Sequence, residues 1–166
     1  MVFHYRIKDL IDSGTDPVTG LLQFQNLSQA RTNGGSIELE HSAASGIKVR
    51  GSYAFQDARD DAGNRLSNLP RHLVKLSVSA PIGLGLQAGV ESQYTSERET
   101  TLSDIPAYVL TDATISTIKP WNGWDLSASL YNVMNRKYSD PADLGGTRDL
   151  LQQDGRTFQL KAIYRF

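Results

Sequence analysis

The 166 residues carry 17 basic and 18 acidic side chains, 39% hydrophobic residues and no Cys. No run approaches the roughly 20 apolar residues of a membrane-spanning helix, which excludes helical membrane proteins and leaves strand-built ones open. A formal net charge of -1 lacks the basic surface of a dedicated nucleic-acid binder, and without Cys there is neither a disulfide framework nor a thiolate zinc site.

Alternation of apolar and polar residues predicts eight strands, over 2–11, 21–42, 46–57, 72–80, 84–95, 107–118, 123–133 and 155–166. In the first, Phe3, Tyr5 and Ile7 alternate with His4, Arg6 and Lys8. The second is long, with Ile37 and Leu39 set against Glu38 and Glu40, and Gly34-Gly35 predicts a bend. In the third, Ile47, Val49, Gly51, Tyr53 and Phe55 oppose Lys48, Arg50, Ser52, Ala54 and Gln56. Val74, Leu76 and Val78 alternate with Lys75, Ser77 and Ser79 in the fourth. The fifth sets Leu84, Leu86, Ala88, Val90, Ser92 and Tyr94 against Gly85, Gln87, Gly89, Glu91 and Gln93. The sixth is mixed. Trp124, Leu126, Ala128 and Leu130 mark the seventh, and Phe158, Leu160, Ala162, Tyr164 and Phe166 the last.

In the four cleanest strands the apolar sides hold twenty positions and no charge, whereas the opposite sides hold eighteen positions and six charges. Exclusion of charge from one face is what lipid demands, since an Arg or Lys at mid-bilayer costs roughly 2–4 kcal/mol. A soluble sandwich with one face on its core predicts the same alternation, so the connections must decide. The predicted long connections, 12–20, 58–71, 96–106 and 134–154, all fall at one end of the strands, and the short ones, 43–45, 81–83 and 119–122, at the other. Outer-membrane barrels sort their loops this way, with tight periplasmic turns and longer extracellular loops. Trp121 and Trp124 flank a short turn, and Tyr164 and Phe166 end the last strand on that same side, as interfacial aromatic rings do.

The period-2 series Phe158, Leu160, Ala162, Tyr164 and Phe166 resembles the C-terminal signal read by the bacterial barrel-assembly machinery. Leu130-Tyr131-Asn132-Val133-Met134-Asn135-Arg136-Lys137-Tyr138, then Gly155-Arg156-Thr157-Phe158 and Ile163-Tyr164-Arg165-Phe166, resembles the end of TonB-dependent outer-membrane receptors. Met134 stands where that pattern has an aromatic residue and Asp154 where it has Pro. Upstream, Tyr5 to Ile11, Asn26 to Ala30, Gly35-Ser36-Ile37-Glu38-Leu39-Glu40 and Leu69-Pro70-Arg71-His72-Leu73 resemble the family's successive strands and strand entries, so the likeness covers essentially the whole chain.

The resemblance implies an all-β antiparallel meander forming the last eight strands of a barrel of about 22 strands, open and curved if it is a fragment. It implies residues 1–166 as the C-terminal part of such a barrel, with plug domain, TonB box and signal peptide absent; Met1 to Lys8 show no basic segment followed by an apolar one. The implied setting is the outer membrane of a Gram-negative bacterium, in contact with its lipid and lipopolysaccharide. The implied role is TonB-dependent uptake of a ferric siderophore, haem, cobalamin or similar scarce ligand, with the TonB system engaged only through the missing N-terminal part. No cofactor and no enzymatic activity are expected: no nucleophile, base and orienting acid form a set, and His4, His41 and His72 lack ligand spacing.

Glu38, Glu40, Lys48, Arg50, Lys75, Gln87, Glu91, Gln93, Asp125 and Lys161 are the candidates for facing the lumen. Arg59, Arg65, Arg98, Arg136 and Arg148, in the long connections, are candidates for attracting an anionic metal chelate. Two other readings remain at this stage: an eight-stranded barrel closed on itself with a structural or small-channel role, and a soluble β-sandwich binding module.

Overall fold

A computed structural model describes residues 1–16, 18–100, 103–142 and 150–166. The strands are β1 (Val2–Thr15), β2 (Leu22–Ser42), β3 (Lys48–Asp60), β4 (His72–Gly83), β5 (Leu86–Thr95), β6 (Arg98–Glu99), β7 (Asp104–Ile105), β8 (Tyr108–Thr117), β9 (Trp124–Tyr131), β10 (Ser139–Pro141), β11 (Leu150–Gln152) and β12 (Thr157–Tyr164). Eight of them form one sheet in the order β1-β2-β3-β4-β5-β8-β9-β12, every pair antiparallel, and these are the eight predicted strands. The pairs β6-β7 and β10-β11 are small ribbons within the long connections. No helix occurs among the described residues.

Cross-strand register turns the sequence alternation into rows. Val49, Val78, Val90, Ala113, Leu130 and Phe158 are successive partners across six strands, and Ala80, Ala88, Ile115, Ala128 and Leu160 form a parallel row. Between them, on the other face because side chains alternate, runs Lys48, Ser79, Gly89, Thr114, Ser129 and Gln159. From β3 to β12 one face of the sheet is therefore an apolar band and the other is polar; β1 departs from this, because Phe3 and Tyr5 pair with Gly34 and Thr32, which lie on the same side of β2 as Glu38 and Glu40. Ser92 and Thr111 fall within the apolar band, and their hydroxyls bond each other at 2.9 Å.

Neither face is covered. The accessible surface is 11,844 Å², against roughly 8,100 Å² for a compact monomer of this mass. Ala30, Ala58, Ile105 and Tyr108 are the buried hydrophobic residues among those described, while Ile37, Leu39, Leu76, Val90 and Leu160 stand exposed. A soluble sandwich would bury that band, so the sandwich reading fails on the packing. β1 and β12 are the sheet's two edges and pair with β2 and β9 alone, which sets aside closure of the eight strands on themselves.

One expectation about the connections changes. Residues 12–15 lie in strand and not in a loop: β1 and β2 stay paired as far as Thr15 with Leu22, beyond the last β2–β3 pair, Ala30 with Asp60. The first long connection is thus mostly a projecting hairpin. At Gly34-Gly35, β2 runs unbroken; Gly34 is there for close approach, because a Cβ on it would collide with the Phe3 ring and the Phe55 carbonyl oxygen. The short turns are compact. Asn122 and Gly123 both take positive φ, 48° and 83°, and Trp121 and Trp124 exchange backbone hydrogen bonds of 2.7 and 2.9 Å across them. That is the Asn-Gly turn whose twist matches the flanking strands.

Candidate functional site

All ten lumen candidates lie on the polar face. Glu40, Arg50, Ser77, Glu91 and Asp112 are successive partners, as are Ser52, Lys75 and Gln93, with Glu38 paired to Ser52. Gln87 joins Ser116, Ser127 and Lys161 in another row. Charges of opposite sign are brought together: Arg50 lies 2.7 Å from Glu40 and 3.5 Å from Glu38, and Arg165 lies 2.7 Å from Asp125. Arg50, Glu38, Glu40 and Arg165 are largely exposed, so the pairs set local geometry and contribute little to stability.

At the opposite end from the short turns, the long connections fold onto this same face. Arg98 is buried and forms the hub: its Nη2 donates to Asp140 Oδ1 at 2.8 Å, to Tyr108 Oη at 3.2 Å and to the Ser139 carbonyl at 3.3 Å. Its guanidinium carbon also sits 5.7 Å from the centre of the Tyr108 ring, and the Tyr108 and Tyr138 rings are 4.8 Å apart. Burial pushes the Tyr138 phenol above its ordinary pKa, with nearby Asp140 adding to the shift, so it remains a neutral hydrogen-bond donor.

Beside this cluster is a cavity of about 200 Å³, with Ile105, Pro106 and Leu150 as apolar wall and Asp104, Arg136, Lys137 and Tyr138 as polar wall. The loop entering it is fixed by Asn132, which is buried, has φ of 50° and accepts the Arg136 amide on its own Oδ1 at 2.8 Å. The Asn132 amide in turn donates to Asp112 Oδ1 at 2.8 Å.

Four of the five candidate arginines can be placed. Arg59 is held by Asp57 at 2.8 Å and by the Gly63 carbonyl at 3.0 Å, and Arg65 by Glu99 at 3.0 Å. Arg98 is the buried hub, and Arg136 lines the cavity. Arg148 lies outside the described residues. Three of the five therefore brace loops through their own carboxylate partners. The residues that sequence reasoning missed here are Tyr108, Tyr138 and Asp140, whose partners are far away in the chain.

The sequence model described as "TonB dependent receptor-like, beta-barrel" matches residues 2–133. The chain belongs to the TonB-dependent receptor β-barrel family. Solved structures agree with the fold of such a receptor wall. The chain superposes on the Pseudomonas aeruginosa pyoverdine-bound FpvA with a TM-score of 0.75 at 17% identity, covering 97% of this chain and 24% of that one. The ferric-catecholate import receptor Fiu of Escherichia coli K12 gives 0.75 at 19% identity, with 97% and 24% covered. The copper transporter OprC gives 0.79 at 16% identity, with 98% and 28% covered. The chain thus spans about a quarter of the length of these receptors. No curated protein matches it by sequence.

Proposed function

We propose that this chain supplies the last eight strands of the barrel wall of an outer-membrane TonB-dependent receptor, together with the extracellular loops between them. In this reading the apolar band faces lipid, the polar rows face the lumen, and the short turns lie at the periplasmic side. The single observation that carries it is the interleaving of apolar and polar rows from β3 to β12 in a sheet whose two edge strands are unpaired. An isolated sheet in lipid cannot leave such edges unsatisfied, so further strands must complete the wall. Transport itself belongs to the completed receptor, energised through TonB by parts outside this chain.

The ligand we assign to the receptor is a ferric siderophore or similar anionic metal chelate. FpvA and Fiu, which share the fold, carry iron chelates. The loop cavity is lined by two cations, Arg136 and Lys137, against one carboxylate, Asp104, so its charge balance favours such a ligand. The terminal series ending at Phe166 serves as the assembly signal in this account.

The test begins with a chimera in which residues 1–166 replace the structurally equivalent segment of Fiu. Insertion in the outer membrane with iron-chelate uptake is expected. The isolated chain, refolded in detergent, should give no compact monomer whose electrophoretic mobility changes on heating. A heat-modifiable monomer would overturn the open-wall reading in favour of a self-closed barrel.

A further inference from the structure

The apolar face carries two open grooves at the end where the short turns lie. One, of about 590 Å³, runs beside Leu84, Ile118 and Lys119; the other, of about 480 Å³, runs between Ile115, Leu126 and Ala162. Leu86, Thr117 and Trp121 line both, so Trp121 belongs to the ridge that the grooves share. The second groove follows from side-chain size. Ala128 separates Ile115 from Leu160 along one row, and Ala162 pairs with Leu126 in the next, so a channel sinks between larger neighbours. No carboxylate lines either groove. Lys119, on the rim of the first, is exposed and forms no ion pair among the described residues.

We propose that this double groove binds one anionic phospholipid, its phosphate at Lys119 and its two acyl chains on either side of Trp121. The inference rests on the wall reading above, which sets these turns at the periplasmic interface. Three features select that occupant. Two apolar channels sharing one wall match an amphiphile with two chains. The unpaired ammonium at the mouth supplies the complement to a phosphate, with its aliphatic stem free to lie along the apolar rim. An indole between apolar channels and a polar turn sits at the depth that interfacial Trp residues favour. A zwitterionic lipid also offers a phosphate, but its own headgroup cation offsets that charge beside Lys119, whereas an anionic lipid leaves the net negative charge for Lys119 to neutralise.

The test uses the Fiu chimera reconstituted in bilayers of phosphatidylcholine containing either brominated phosphatidylglycerol or brominated phosphatidylcholine. Quenching of Trp121 fluorescence is isolated by subtracting a W121F variant. Brominated phosphatidylglycerol should quench Trp121 at lower mole fraction, by about five-fold, the effect of one basic group at an anionic lipid surface. K119A should abolish that preference and K119R should keep it. Equal quenching by the two lipids, indifferent to K119A, would overturn the site and leave only annular lipid. A V90W reporter in the middle of the band separates the two levels of the account. If V90W is quenched and Trp121 is not, something other than lipid covers the grooves and the proposal falls alone; if V90W is also unquenched, the wall reading falls with it.

Discussion

Asn135 and Gly155 meet where the longest connection returns to the sheet. Asn135 Oδ1 accepts the Arg156 amide at 2.9 Å, and a Cβ placed on Gly155 would stand 2.6 Å from that oxygen. The two positions therefore form a joint between the end of β9 and the start of β12, in which a Cβ at residue 155 would push the Asn135 side chain out of its bond to the Arg156 amide. G155A should displace the Asn135 side chain and cost about 1 kcal/mol through the lost bond. N135A, which removes the acceptor without a clash, should cost about 1 kcal/mol. Thermal melting of the assembled receptor checks both, and a G155A protein as stable as the parent would contradict the joint.

The interleaved rows make a prediction about charge placement. Val90 lies in the apolar row between Val78 and Ala113, while Gln87 lies in the polar row beside Ser116. V90R should lower membrane insertion by an amount equivalent to roughly 2–4 kcal/mol, and Q87R should leave it nearly unchanged. Outer-membrane yield and urea unfolding from bilayers measure the difference. Equal penalties would mean that the two faces are assigned wrongly.

The tip of the projecting hairpin should respond to acid. Asp16 Oδ1 accepts the Val18 and Thr19 amides at 2.7 and 2.8 Å, and these bonds hold its carboxyl below the ordinary aspartate value of 3.8. A depressed folded-state pKa means that the stabilisation is present above the unfolded value and lost as pH falls through the folded one. The Thr19 amide resonance should therefore titrate with a midpoint below 3.8, and D16N should remove the titration. A midpoint at or above the ordinary value would contradict the turn geometry.

Arg98 ties its own loop and the Ser139–Asp140 segment to Tyr108 of β8, and its loss should be felt by the loops rather than by the strands. R98A leaves Asp140 without its cation and should destabilise the loop cluster by about 1–3 kcal/mol, a range lowered because Asp140 is partly exposed. R98K should fail to restore it, since an ammonium cannot both reach Asp140 and lie across the Tyr108 ring as the planar guanidinium does. Limited proteolysis between residues 132 and 142 reads this directly. Unchanged cleavage rates in R98A would remove Arg98 from its role as the hub.

The strands were legible because their two faces meet different surroundings. Trp124 to Leu130 and Phe158 to Tyr164 alternate cleanly since each residue is committed by register to one face. The extension of β1 to Thr15 was hidden for the same reason: past Ile7, paired with Ala30, the hairpin rises beyond β3 and no third strand imposes a pattern on Asp9, Asp12 or Ser13. β6 and β10, with two and three residues, are too short to show any period. The loop arginines were legible as charges but not as partners, because Arg65 and Glu99 are 34 positions apart and Arg98 and Asp140 are 42 apart. Gly34 illustrates a subtler limit, since a glycine in a strand reads equally as a bend or as a seat for a neighbouring ring.

The central claim is that β1 and β12 are edges of a wall completed by other strands, and disulfide mapping in the Fiu chimera tests it most directly. The chain contains no Cys, so introduced pairs within it are unambiguous. A control pair at Ser129 and Gln159, partners across β9 and β12, should cross-link on oxidation. Single Cys residues at successive positions of β1, combined with single Cys residues along β12, should give none, because bridging needs Cα atoms within about 7 Å. Efficient β1–β12 cross-linking alongside the control would show the eight strands closed on themselves and would contradict the account.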